Sequence, residues 1–559
     1  MKKIEVIPLG GIGEFGMNTM GIRCGGEMIV VDAGMGFPEE TPYGVDISIP
    51  DYEQLEEYRE ELVALFLTHG HEDHIGAVPY FLKRFNVPVY GSRLTLAFIE
   101  NKLEEHGILG DVLMHTVEAG DVSEVGNFEV EFINASHSLV DCFSLAIKTP
   151  VGTVVHTGDY KIDDTPVVGD PYDLEALRRI GDEGVLALFS DSTNATVPGR
   201  TPSESDVIPD LAKIFDSAEA RLIITTFSSS IHRIQIVLDL AEEFGRKVCA
   251  LGRSMMGNVE LAEEMGYLEI PDDLLVGLND ARRLEDDEIV YLVTGSQGES
   301  RAVMWNLATQ SYKGLSIKDG DTVVLSARII PGNEKRISKM IGAIYRKGGN
   351  IIEEKRRLIH VSGHASQEDI RILTETARPK FVVPIHGEFR MLFRHKEFLK
   401  NHVGYNDRDV ILVEDGDVLE LTADSAEIVD RIEPSRVFIE DDGFREIDLE
   451  TLKERKKLAF NGVVNVTVTV DPSSGEMASD PVITLQGVGG IDGANGFRGE
   501  AAEVIADALA ELGPDALSDI PATEEKIRLV LKRFIKRTAG SKPLIIPKIV
   551  RTSNGRSNQ

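Results

Sequence analysis

Three histidines and an aspartate fall within six positions in Thr68-His69-Gly70-His71-Glu72-Asp73-His74, directly after the apolar run Leu62-Val63-Ala64-Leu65-Phe66-Leu67. The apolar run has the length and composition of a buried strand, and residues 74–82 read as the helix that follows. The polar cluster therefore lies in a strand-to-helix turn, where a sharp change of backbone direction points neighbouring side chains different ways. Imidazole nitrogen and carboxylate oxygen suit zinc, at roughly 2.0–2.2 Å. Four such groups packed this closely suggest two ions rather than one. The plain alternative is a polar turn with chance histidines, and the density of ligand types argues against it.

Further ligand types stand at the ends of other predicted strands: His137 in Ala135-Ser136-His137-Ser138, Asp159 in His156-Thr157-Gly158-Asp159, and His386 in Pro384-Ile385-His386-Gly387-Glu388. Singly, each is more often a hydrogen-bonded turn residue than a ligand. With residues 69–74 they complete a two-ion set: His69, His71 and His137 for the first, Asp73, His74 and His386 for the second, and Asp159 bridging. Two ions ~3.5–4 Å apart lower the pKa of a water between them and stabilise charge on the oxygens of an in-line displacement. Asp32 ends a neighbouring strand and can orient a ligand imidazole from behind.

The elements that must position these residues come from a chain of 559 residues, long enough for several domains. Apolar content of 42% and charged content of 27% are ordinary for a globular protein. No apolar run approaches ~20 residues, so no membrane span is expected, and the first residues lead into a strand rather than a signal-peptide core. Cys24, Cys142 and Cys249 are scattered and odd in number, which fits a reducing cytoplasm better than a disulfide framework. The formal net charge of −34 argues against indiscriminate nucleic-acid binding. It does not exclude a nucleic-acid substrate, because two divalent cations and a few arginines can make one groove positive on an acidic particle.

The texture divides the chain. Short apolar runs ending in Gly, Asp or His fill residues 1–202, with helical stretches between them such as 95–106. Regular strand–helix alternation fills 203–357 and the first texture returns over 358–435, so an α/β domain is expected to carry a second α/β unit as an insertion. Residues 436–459 are charged and helix-like and read as a linker. Residues 460–552 read as a small α+β domain, and 553–559 as a disordered tail. The last 35 residues are basic against the trend of the chain; a solvated helix face explains that more readily than an RNA or subunit contact.

The HxHxDH pattern resembles the metallo-β-lactamase superfamily, whose fold is an αββα sandwich. More narrowly the chain resembles the β-CASP nucleases, and within them the ribonuclease J family. An acid after a strand is matched by Asp191 in Ser190-Asp191-Ser192-Thr193-Asn194, and a histidine in the returning segment by His364 in His360-Val361-Ser362-Gly363-His364. The inserted domain of about 155 residues, Thr294-Gly295-Ser296-Gln297-Gly298-Glu299, Pro331-Gly332-Asn333 and the C-terminal domain complete the match, which covers essentially the whole chain.

The resemblance implies hydrolysis of single-stranded RNA, 5′→3′ exonucleolytic with some endonuclease activity, in mRNA decay and rRNA maturation. Two zinc ions would serve, or manganese or magnesium in their place, with Asp191 and His364 as the proton-transfer pair. It implies a pocket for the RNA backbone and a 5′-monophosphate at Ser229, Ser230 and Ile231 and at His360, Val361, Ser362, Gly363 and His364. Both segments precede predicted helices, whose free N–H groups favour phosphate; ordinary capping turns are the alternative. The family usually has Ser-Asn where this chain has Ser229-Ser230, a shorter donor. His232 and Arg233 would add positive charge nearby. A structural calcium is implied at Tyr43 and Val45, through carbonyls, and Glu440. A homodimer or homotetramer, and contacts with other RNA-decay proteins, follow from the same likeness. The rivals are a small-substrate hydrolase of the superfamily, which needs neither insertion nor phosphate turns, a DNA-processing β-CASP enzyme, and a non-catalytic RNA-binding subunit.

Overall fold

The computed structural model describes residues 3–38, 43–330, 332–353, 357–440, 445–471, 474, 476–490, 494–512 and 519–552. The expected tail at 553–559, together with Pro331, Asp441 and Asp442, lies outside them. Two compact units are present: Met1–Glu39 with Ile47–Arg436, and Glu40–Asp46 with Val437–Gln559.

In the first unit two sheets stack face to face. One has eight strands, in the order Ala426–Arg431, Asp417–Leu421, Ile4–Gly10, Thr19–Cys24, Glu27–Val31, Leu62–Phe66, Val89–Gly91 and Met114–Thr116. The other has six, in the order Phe381–Ile385, Val185–Asp191, Thr153–His156, Cys142–Lys148, Phe128–Ala135 and Val122–Val125. Between them lies a core of inward-facing residues including Ile29, Phe66, Phe132, Phe143, Leu145 and Val383. The central strands Glu27–Val31, Leu62–Phe66 and Val185–Asp191 are mostly apolar and buried because both faces are covered.

The chain leaves the second sheet at Asp191 and rejoins it at Phe381, where the returning strand pairs in parallel so that Asp191 lies opposite Ile385. What intervenes builds its own five-stranded parallel sheet from Leu222–Thr225, Lys247–Leu251, Ile289–Val293, Thr322–Leu325 and Asn350–Ile352. Three strand ends, at His156, Asp191 and Ile385, thus stop side by side, and the next residues of each carry polar chemistry.

The helix expected over 74–82 is two short helices, Glu72–Ile75 and Val78–Arg84. Pro79 is the cause, since it has no N–H to continue the first ladder but suits the first turn of the second. Among the described residues of the region read as a helix-like linker, only the stretch within Leu449–Asn461 is helical; Arg436–Glu440 and Glu446–Ile447 are paired strands. The β-branched and aromatic run Val437-Phe438-Ile439 overrides the surrounding charge. The strand Val463–Val470 alternates, burying Val464, Val466, Val468 and Val470 against helices Ala494–Ala510 and Ile520–Ala539. Among the described residues no helix is long and apolar enough to cross a membrane.

Candidate metal centre

The turn after Leu62–Phe66 is pinned by Asp32, which ends the neighbouring strand with φ 59°. Its carboxylate accepts from Thr68 N and Thr68 Oγ1, both at 2.8 Å, and from His74 Nδ1 at 2.7 Å. One buried carboxylate thereby sets both the turn and the ring orientation of His74. The helix carrying Asp73 and His74 is held from the other side by Asn18 N and Ala33 N, which donate to Asp73 O and His74 O. Asp32→Asn is expected to weaken metal binding about 10–100-fold, the usual cost of losing such a support; competition against a chelator measures it.

Among the described residues three groups of ligand atoms converge, each within 4.8 Å: His69, His71, His137 and Asp159; Asp73, His74, Asp159 and His386; and Asp191, His364 and His386. Asp159 is common to the first two. Its Oδ2 lies 3.7 Å from His69 Nε2 and from His137 Nε2, while its Oδ1 lies 3.3 Å from His74 Nε2 and 3.5 Å from His386 Nε2. The ring nitrogens left over fix the tautomers. His137 Nδ1 donates to Gly363 O at 2.7 Å, His74 Nδ1 to Asp32, and His386 Nδ1 pairs with Thr193 Oγ1 at 2.7 Å. Each Nε2 is thereby turned to the centre.

This donor set fits a cation. Burial, reinforced by neighbouring imidazoles, holds His69 and His137 well below the usual histidine range, so both are neutral. His71 Nδ1 lies 3.0 Å from His69 Nε2 and 3.1 Å from His137 Nε2. Three inward imidazole nitrogens brought together in this way suit a cation held between them. Burial lowers His386 too, but Asp159 and Asp73 outweigh it and raise it to about 9. Without a cation, those carboxylates are balanced by protons on histidine.

Asp191 and His364 adjoin the second group. His364 Nδ1 is 2.9 Å from Asp191 Oδ2 and 3.8 Å from Asp159 Oδ2. Burial lowers His364, but the Asp191 carboxylate, with Asp159 behind it, holds it above the ordinary range. The loop at 360–364 is tied to the centre through Gly363, whose carbonyl takes the His137 proton.

The phosphate-type turns are neighbours. Ser229 is half-buried, while Ser230 and Ile231 are buried at the start of helix Ile231–Glu243. His360, Ser362 and His364 are half-buried and Val361 and Gly363 buried. Arg233 joins the two turns, its Nη1 donating to Ser326 Oγ and Ile359 O at 2.5 Å. The positive charge expected from His232 and Arg233 is not delivered to the surface of these turns. Arg233 is fully buried and pairs with Glu204 at 2.7 Å. His232 is buried, accepts from Val168 N, and is lowered by burial to about 4. Burial, with Arg233 adding to it, likewise lowers His360 to about 3. Helical periodicity could have warned of this, because residues 231–238 are buried all round the helix.

Two residues beside the 360–364 loop, Asn194 and Arg328, escaped sequence reasoning. Asn194 donates to Ser362 Oγ at 2.8 Å and His364 O at 3.1 Å, and accepts from Arg328 Nη1 at 2.9 Å. Asn194 lies three residues after Asp191, the only signal that marked it.

Comparison with known proteins divides the chain as its topology does. Residues 13–197 match the metallo-beta-lactamase superfamily and 350–410 a Zn-dependent metallo-hydrolase RNA specificity domain. Residues 219–344 match the ribonuclease J beta-CASP domain and 450–552 the ribonuclease J C-terminal domain. A ribonuclease J from Synechocystis is 39% identical over 553 residues, covering 97% of this chain and 86% of that protein. The chain belongs to the ribonuclease J family. The ribonuclease J of Thermus thermophilus is 37% identical, covering 98% of this chain and 95% of that one. A solved structure of a protein of unknown function from Enterococcus faecalis shares the fold, with TM-score 0.52 at 18% identity over 75% of this chain and 100% of that one. As a member of the ribonuclease J family, the chain is a metal-binding, RNA-binding hydrolase.

The calcium that the ribonuclease J likeness implied does not fit the residues assigned to it. Arg455 already supplies a cation there, donating to Glu440 Oε1 at 2.5 Å and to Tyr43 O at 3.3 Å. Arg445 adds a second guanidinium 3.8 Å from Glu440 Oε2, and Val45 is buried beside them. A hard divalent cation wants six to eight oxygens; here the carboxylate is already paired. The melting temperature is therefore expected to be the same in excess EGTA and in millimolar calcium.

Proposed function

We propose that this chain is a 5′→3′ exoribonuclease on single-stranded RNA, selective for a 5′-monophosphate and capable of some internal cleavage. The observation that carries the reading is Asp159, one oxygen toward each of two histidine groups, beside the Asp191–His364 pair. His69, His71 and His137 would hold one divalent cation, and Asp73, His74 and His386 the other, with Asp159 shared. Zinc, or manganese or magnesium in its place, would supply Lewis acidity toward water and the phosphate oxygens.

The chain's own residues do the rest. His364, hydrogen-bonded to Asp191 at 2.9 Å, would pass a proton to the leaving 3′-oxygen. Asp191 holds that imidazole and is itself fixed by Thr193 N, which donates to its Oδ1 at 2.8 Å. Ser362, oriented by Asn194, and the half-buried Ser229 meet the RNA phosphates; the amides of Ser230 and Ile231 are already bonded to Phe227 O and Ser229 O. A small ester would need neither turn.

The test is cleavage of one RNA sequence bearing a 5′-monophosphate, 5′-triphosphate or 5′-hydroxyl, with zinc or manganese and with chelator. Mononucleotide release confined to the monophosphate and lost with chelator supports the reading. Intact RNA in every arm, or release indifferent to the 5′ group, overturns it.

A further inference from the structure

On a chain of formal net charge −34, residues 328–347 carry Arg328, Lys335, Arg336, Lys339, Arg346 and Lys347 against a single acid, Glu334. The helix within this stretch, Glu334–Arg346, buries Ile337, Met340 and Ile344. At ~3.6 residues per turn, Lys335, Lys339 and Arg346 then share the opposite side, with Gly342 completing the row. All three are exposed, and none has a carboxylate partner among the described residues. They form one cationic ridge about 16 Å long at ~1.5 Å per residue.

A solvated face is the common explanation of such a row, and two features distinguish this one. First, the segment that carries the ridge is tied to the loops of the metal centre. Arg328, exposed at the end of the strand Thr322–Leu325, reaches Asn194, which holds Ser362 and the carbonyl of His364. Gln297 braces the connection, donating to Arg328 O and accepting from Ile330 N, both at 2.9 Å. Gly298 lies against the backbone of Arg336 and Ile337, where a Cβ would come within 3.0–3.1 Å, so the same loop seats the first turn of the helix. Second, aromatic surface accompanies the charge. Lys339 Nζ lies 5.8 Å from the ring centroid of Trp305, the single tryptophan, and Tyr345 is 48% exposed. Cations that follow a backbone, with rings for bases to stack on, suit single-stranded nucleic acid.

We propose that this ridge binds the phosphodiester backbone of single-stranded RNA downstream of the end held at the metal cluster. The proposal rests on the ribonuclease reading above and adds where the rest of the strand runs. Each phosphate contact on a single strand contributes about 0.7 to the slope of log affinity against log salt, so three contacts contribute about 2.

The experiment titrates the metal-loaded protein with a 5′-monophosphorylated phosphorothioate RNA of about 20 nucleotides, reading Trp305 fluorescence and filter binding over a range of salt. The comparison is with a triple variant, Lys335→Gln, Lys339→Gln and Arg346→Gln. Glutamine has similar helix propensity, and circular dichroism checks the fold. The expected result is a fluorescence change on binding, affinity at least about tenfold weaker in the variant at low salt, and a salt slope smaller by about 2. An RNA of about four nucleotides should show the same slope in both proteins. Equal affinity and slope for both proteins on the longer RNA would overturn the ridge and leave the ribonuclease reading standing. Failure of both proteins to bind it would overturn the two together.

Discussion

Asp159→Asn is expected to lower the rate of RNA cleavage at least about a thousandfold while leaving the fold intact. Asparagine keeps the volume and loses the charge and one ligand oxygen. Asp159 is the one residue common to both histidine groups, with Oδ2 toward His69 and His137 and Oδ1 toward His74 and His386. Its Oδ1 is buried and faces the ring nitrogens of His74 and His386. Metal stabilisation of a transition state is worth several kcal/mol, and each ~1.4 kcal/mol is tenfold in rate. Single-turnover cleavage, metal content and circular dichroism on the same preparation check it. Full activity in this variant would mean that Asp159 is not shared.

Gly363→Ala is expected to cost about a hundredfold or more in kcat/KM, although residue 363 offers no side chain to the chemistry. A Cβ there would lie 2.6 Å from His137 Cε1, 2.7 Å from His137 Nδ1 and 2.8 Å from Ser138 N. The backbone cannot yield to it without moving the Gly363 carbonyl that orients His137, or the neighbouring Ser362 and His364. A displacement of ~1 Å at a reacting group costs about a hundredfold. Steady-state kinetics and zinc titration should show both catalysis and metal affinity reduced. Wild-type values for both would show that the loop relaxes freely.

Much of this site was legible from sequence for a physical reason. Ligands at strand ends announce themselves, since an apolar run followed by His or Asp is a pattern that burial alone does not produce. His69, His71, Asp73 and His74 are local, and the parallel register that sets Asp191 opposite Ile385 explains how His386 joins them across the insertion. The insertion itself was visible as a change in the rhythm of strands and helices.

What sequence concealed was partnership. Arg233 follows His232 in a segment read as phosphate-binding, yet it is neutralised by Glu204 and buried, with Lys161 and Asp163 in the same buried network. Nothing in a linear chain says which arginine is paired. The same holds for Arg455, which occupies the oxygens of Glu440 and Tyr43 from the far end of the linker region. Asn194 and Arg328 are separated by more than a hundred residues, and their bond becomes visible only once the inserted sheet is folded against the first unit's second sheet. Propensity also misled at 436–447, where the apolar strand Arg436–Glu440 was hidden by the charges around it.

The central claim is that one carboxylate serves two ions. Crystals grown with zinc and measured at the zinc absorption edge test it most directly. Two anomalous peaks about 3.5–4 Å apart are predicted, one bounded by His69, His71 and His137, the other by Asp73, His74 and His386, with Asp159 between them. A single peak, or a pair that does not share Asp159, would contradict it.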